Sequence, residues 1–160
     1  NFRETGRGIV GAMFRVNYKH GDLLDITISI DFCGAYPSTF EHYFTFDTRT
    51  GDLLHARDLF LEDQLDGLVD VLDDYLQRNI SLVALYYRDE LGEDLDQRFT
   101  EEDLEGFTVT IDGVLFRHEF GFPHAAEALE PDGEIFLGFE ELEGFIDPEG
   151  PLGDPETETD

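Results

Sequence analysis

The chain has 160 residues, with 38 acidic side chains against 10 basic ones and a formal net charge of −28. A surface this negative repels nucleic-acid phosphates and anionic membranes, which are gripped by clustered Lys and Arg. Aromatics at 13%, mostly the 15 Phe, supply core material for one domain and separate this chain from acidic disordered sequences.

In chain order, Ile9 to Tyr18 reads as a strand, with Gly8 and Gly11 marking a bulge. After the turn at His20-Gly21-Asp22, Leu24, Ile26, Ile28 and Ile30 alternate with Asp25, Thr27, Ser29 and Asp31. Strict alternation predicts an apolar face in the core and a polar face in water. Cys33, the only cysteine, excludes an internal disulfide and is expected as a buried, inert thiol. Gly34 to Ser38 breaks the chain. Thr39 to Asp47 follows with Phe40, His42, Phe44 and Phe46 on one face, and Thr48 to Gly51 closes it as a hairpin-like loop.

Leu65, Leu68, Val69, Leu72, Tyr75, Leu76 and Ile80 recur at three- and four-residue spacing, which predicts a helix from about Glu62 to Asn79. Leu82 to Arg88 extends it or starts another. Thr100 to Asp103 supplies a cap and first turn for a short helix ending at Gly106. Phe107 to Ile111, the Asp112-Gly113 turn and Val114 to Phe120 form a hairpin. Glu134 to Gly138 is a last strand, and Phe139 to Phe145 a terminal helix. From Asp147 onward the chain is rich in Pro, Gly and acids and is expected as a disordered tail, 147–160. The six acids of that tail leave −22 on residues 1–146. Strands, helix, strands predict an α+β domain over 1–146: a mostly antiparallel sheet, one long helix across a face and a short C-terminal helix.

Catalytic chemistry is thinly signalled. The five histidines, His20, His42, His55, His118 and His124, include no pair with the helical spacing of a zinc site. His42 and His118 lie on predicted strands, where structural roles dominate; His124 follows Phe122-Pro123 in a loop and is the histidine best placed for a ligand. Adjacent acids are so frequent that pairs such as Glu101-Glu102 do not identify a glycosidase dyad. Glu130 to Glu134 lacks the alternating ligands of a calcium loop. No Gly-x-Ser-x-Gly elbow or phosphate-cradling glycine loop is present. No catalytic residue, metal site or cofactor is assigned.

The stretch Gly34-Ala35-Tyr36-Pro37-Ser38-Thr39, followed by Tyr43 to Asp47, Thr50 to Leu54 and Arg57-Asp58-Leu59-Phe60, resembles the bacterial DUF3298 domain. The resemblance continues through Phe99-Thr100, Gly113 to Phe116, Phe120 to Pro123, Gly133 to Leu137 and Glu141-Leu142, and covers roughly Ile9 to Ile146. Tyr36 stands where that family usually has His, and His124 where Tyr is common. The family forms the extracytoplasmic part of RsiV-type anti-sigma factors, which bind lysozyme, and accompanies the catalytic domain of PdaC-type deacetylases. The resemblance therefore implies a non-enzymatic, envelope-facing binding or sensing domain. Its partner would be a cationic protein such as a lysozyme, or a cell-wall component. A signal or anchor is expected upstream of Asn1. Two loops are the expected recognition surface: Tyr36, Pro37, Ser38 and Thr39, and Phe122, Pro123 and His124. An alternative reading takes the acidity as adaptation to salt, since one Lys beside nine Arg with abundant Asp and Glu resembles proteins of salt-loving organisms. The chain would then be a salt-adapted accessory domain of a cell-wall enzyme.

Overall fold

The computed structural model describes residues 8–34, 37–123 and 125–153. Three long strands open the chain: β1 (Gly8–His20), β2 (Leu23–Cys33) and β3 (Pro37–Asp47), with the two-residue β4 (Leu53–Leu54) beside β3. They form an antiparallel sheet in the order β1-β2-β3-β4. A short helix, α1 (Ala56–Leu59), leads to the long helix α2 (Leu65–Leu91). A second antiparallel sheet follows, β5 (Phe107–Val109), β6 (Gly113–Arg117) and β7 (Glu134–Gly138), and then α3 (Phe139–Leu142). The architecture is α+β, with the strands divided between two sheets.

The helical stripe predicted from spacing is the one that is buried. Leu68, Leu72, Leu76 and Ile80 join Val109, Val114, Phe116, Ile135 and Leu137 of the second sheet in one apolar core. The helix runs a dozen residues past Asn79, so the segment Leu82 to Arg88 continues it. Tyr87 departs from helical geometry (φ −130°, ψ 15°), and Gly92 ends the helix at φ 51°, a conformation that glycine adopts without Cβ strain. The predicted turn at Thr100 is a 3-10 helix, Glu101–Glu105, capped by Asp103, whose carboxylate accepts from the Thr100 N–H at 2.7 Å.

The first sheet presents the opposite face to the core from the one its alternation predicts. Leu23, Asp25 and Thr27 are buried, whereas Leu24, Ile26, Ile28 and Ile30 are half-buried and make no part of the core cluster. The reason lies in what covers the sheet. Strand β5 packs on the Asp25 side, and the Asp25 carboxylate satisfies the polar groups it meets there. Its Oδ2 accepts from the Val109 N–H at 3.0 Å and the Thr45 hydroxyl at 2.7 Å, and its Oδ1 accepts from Asn17 at 2.7 Å. A β-bulge between Val16 and Tyr18 turns Asn17 inward, where it also donates to Thr27.

The outer face is a continuous apolar surface. Ala12, Phe14 and Val16 pair with Ile30, Ile28 and Ile26, which pair in turn with Phe40, His42 and Phe44. Phe14 is 73% exposed and Phe40 53%. Cys33, at the end of β2, is partly exposed rather than buried, because the sheet extends beyond the core there.

The expected tail is corrected in its first part. Ile146 bridges to Phe60, the Asp147 N–H donates to the Leu59 carbonyl at 3.0 Å, and Leu152 is buried against the core. Leu152 is the one large apolar side chain after Ile146, and its burial draws the acidic segment onto the domain. Residues 154–160 lie outside the described residues.

Candidate functional site

A cleft of about 690 Å³ opens between β3 of the first sheet and the loops that leave β6 and enter β7. Thr39, Phe40 and Tyr43 form one wall; Arg117 to Phe122 and Glu130 to Glu134 form the other, with Glu127 at the margin. Thr39 comes from the first loop expected as a recognition surface and Phe122 from the second, so the fold brings one residue of each loop to the cleft. Pro37 and Ser38 begin β3 opposite Cys33 and Phe32, and are exposed beyond the cleft. Pro123 is exposed and its carbonyl accepts from the Ala126 N–H at 2.7 Å, starting the turn that carries Glu127. Tyr36 and His124 lie outside the described residues.

Arg117 organises the interior of the cleft. Its guanidinium carbon lies 3.7 Å from the centroid of the Tyr43 ring, close enough for a cation–π contact. Its Nε donates to Glu134 Oε1 at 3.2 Å, and its Nη1 donates to the Thr108 hydroxyl at 2.8 Å. The Tyr43 hydroxyl donates to Glu41 at 3.1 Å. Burial pushes the Tyr43 phenol above its ordinary pKa, Arg117 opposes that, and the carboxylates of Glu41 and Glu134 push the same way as burial. Both ends of the pair are thus held, and the one arginine in the cleft is already matched by an acid.

His118 is fixed below this wall. One ring nitrogen lies 3.0 Å from Asp103 Oδ1 and the other 3.0 Å from Gln97 Oε1. Gln97 is itself oriented by donating to the carbonyls of Asp94 and Phe120. The His118 ring meets Phe120 edge-on at 4.8 Å, and Phe120 meets Phe122 edge-on at 5.7 Å. The strand expected to run to Phe120 ends at Arg117, so His118 lies just past β6, where its ring packs against the aromatic wall.

Four aromatic rings, Phe40, Tyr43, Phe120 and Phe122, are therefore interleaved with Glu119, Glu127, Glu130, Asp132 and Glu134. Rings offer flat apolar contact and carboxylates accept hydrogen bonds from cations or hydroxyls. Among the described residues no group of three or more His, Cys, Asp and Glu side chains is placed to hold a metal ion. No helix among them is long and apolar enough to cross a membrane. Tyr43, Arg117 and Phe120 were not named as candidate site residues from the sequence, although Tyr43 and Phe120 fall in stretches that resemble the family. A usable signal existed for Arg117, a rare base in an acidic chain, but its aromatic partner is contributed by another sheet.

Fold and cleft together define a two-sheet α+β domain with an open aromatic and acidic groove. That fold is the one found in solved structures of the DUF3298 family. A family member from Bacteroides fragilis superposes with a TM-score of 0.64 at 20% identity, covering 95% of this chain and 58% of that one. A DUF3298 family protein from Pseudomonas aeruginosa does so with a TM-score of 0.51 at 18% identity, covering 86% of this chain and 61% of that one. The chain thus spans about three-fifths of the length of these structural relatives, and the likeness establishes the fold. No family model and no curated protein matches the sequence.

Proposed function

We propose that this domain acts by binding rather than by catalysis, in an extracytoplasmic setting, and that its cleft receives a cationic protein surface such as that of a lysozyme. The observation that carries this reading is the meeting of Thr39 and Phe122 in one groove where aromatic rings alternate with carboxylates. A basic side chain entering it can lay its aliphatic stem on a ring and its charge against an acid. The net charge of −28 accelerates the approach of a cationic partner and makes affinity fall as salt rises. Calorimetry with a basic lysozyme at about 0.05 M and about 0.15 M salt tests this. Binding that weakens with salt, and that Phe122→Ala combined with Glu130→Gln reduces by about tenfold or more, supports the reading. Absence of heat at both salt levels, with heat on adding soluble peptidoglycan fragments, would transfer the cleft to a cell-wall ligand.

The second reading is environmental. One Lys beside nine Arg, with 38 acids, favours an accessory domain kept soluble in salt by a hydrated acidic surface. Thermal melts across salt concentration separate the two. A melting temperature that climbs steeply into molar salt, without lysozyme binding, selects the environmental reading.

A further inference from the structure

The two edges of the first sheet are unlike. At β1 the edge is broken by bulges between Ile9 and Gly11 and between Val16 and Tyr18, a device that discourages a further strand. At β3 the register with β2 runs from Pro37 to Asp47 without a shift, and β4 covers only Thr45 and Phe46 on the other side. The Asp47 N–H donates to the Asp52 carbonyl at 3.0 Å and the Asp47 carbonyl accepts from Gly51 at 2.7 Å, so both point away from β2. Strand alternation then lines up the backbone N–H and C=O groups of Thr39, Glu41 and Tyr43 along that same edge. Among the described residues no strand pairs with them. This edge is also the lip of the cleft. Phe40 lies on the outer face with its pair Ile30, and Thr39 and Tyr43 lie on the inner face with Thr45, yet all three of Thr39, Phe40 and Tyr43 line the cleft. An opening lined from both faces of one strand runs along the edge of that strand.

We propose that the β3 edge takes an extended basic segment of the partner as an added antiparallel strand. The proposal rests on the reading of the cleft as the site of a cationic partner and names how that partner is held: main-chain hydrogen bonds to β3, with side chains selecting the sequence. An added strand sends its side chains alternately to the two faces of the sheet. On the inner face it meets Glu41, whose carboxylate is bonded among the described residues by the hydroxyls of Ser29 and Tyr43 alone, so a cation opposite it completes a cross-strand pair. Glu130, Asp132 and Glu134 on the far wall, and the net charge of −28, add to that preference. On the outer face the strand meets Phe40, His42 and Phe44, beside which β-branched or aromatic side chains pack. The recognised segment therefore alternates, basic residues on the inner face and apolar ones on the outer.

Calorimetry of the whole chain with a blocked peptide of about seven residues, alternating Arg and Val, tests this. In an antiparallel pair the residues opposite Thr39, Glu41 and Tyr43 exchange both hydrogen bonds with them, so the Arg amides face β3 and the Val amides face away. N-methylation of the Arg amides should weaken binding by about tenfold or more, and N-methylation of the Val amides should leave it within about threefold. The two peptides carry the same charge, so electrostatic capture alone does not separate them. On the protein side, Glu41→Pro should bind the unmethylated peptide about tenfold more weakly than Glu41→Gln, because both lose the carboxylate and only the proline loses the N–H. Equal affinity of the two methylated peptides overturns the proposal, whatever the fold of the proline variant. Basic lysozyme that binds while the unmethylated peptide does not, or while the methylated peptides do not differ, leaves the cleft reading standing and removes strand addition. A chain that takes neither lysozyme nor the unmethylated peptide removes both.

Discussion

The Val109 backbone N–H donates to the Asp25 carboxylate at 3.0 Å, joining a strand of the second sheet to the middle strand of the first across 84 residues of sequence. Asp25 is fully buried, yet every contact given to its two oxygens is a hydrogen-bond donor, from Asn17, Thr45 and Val109. That explains how a carboxylate occupies a position that an apolar residue of β2 was expected to fill.

Replacing Asp25 with Ala should cost about 2–4 kcal/mol, because the Thr45 hydroxyl and the Val109 N–H lose their acceptor while buried. Denaturant unfolding of the variant measures the loss. A change below about 0.5 kcal/mol would mean that water replaces the carboxylate freely.

Burial raises the Asp25 pKa, opposed by the hydrogen bonds from Asn17, Val109 and Thr45 and by the charge of Arg117. With a folded pKa above the unfolded one, its contribution is fully present below the ordinary carboxylate value of about 3.9 and is lost as pH rises through the raised value. The stability of the wild type relative to Asp25→Asn should therefore fall as pH rises above about 4. Paired melts from pH of about 3 to 7 check this, and a rising difference would contradict it.

Asp73 on α2 has the reverse sign. Burial alone would raise its pKa, but the Phe99 N–H at 3.0 Å, Arg98 at 2.6 Å and Gln77 at 3.1 Å hold it below the usual range. Its contribution is present above the ordinary carboxylate value and is lost as pH falls through the depressed one. Relative to Asp73→Asn, the wild type should lose stability on acidification below about pH 4. Referring each melt to the variant removes the general relief of negative charge, which acts on both proteins.

Gly133 lies against the His118 carbonyl, so closely that a Cβ there would overlap it, and its own carbonyl accepts from the His118 N–H at 3.0 Å. Gly133→Ala should cost about 1–3 kcal/mol through overpacking and should open the cleft wall. Unfolding free energy, together with loss of ligand binding in the cleft, is the readout.

The inside-out first sheet predicts an asymmetry between its two faces. Leu23→Ala should cost about 2–5 kcal/mol, since Leu23 is 1% exposed. Phe14→Ser should change monomer stability by no more than about 0.5 kcal/mol. Measurements at low protein concentration keep any association out of the comparison. A large loss for Phe14→Ser would show that the outer face is covered within the monomer.

Much of the fold is local and therefore legible in the residues. The stripe from Leu68 to Ile80, the turn at Gly21-Asp22, the alternation of β2 and the apolar pairs of β6 and β7 each depend on neighbours a few positions away. One residue of each loop named through the likeness to a family, Thr39 and Phe122, lines the cleft. The Tyr43–Arg117 contact was not, because its partners lie on different sheets and neither residue type announces the other.

The sequence by itself determined which side chains share a face: Leu24, Ile26, Ile28 and Ile30 lie together because the pleat repeats every second residue. Which of the two faces of β2 the core would cover was decided only by tertiary structure. The choice depended on β5 arriving from far along the chain with an N–H that Asp25 could accept, and on the bulge that turns Asn17 toward the same carboxylate. With those donors offsetting part of the cost of burying the carboxylate, the polar-looking face is the inner one and the apolar face the outer one.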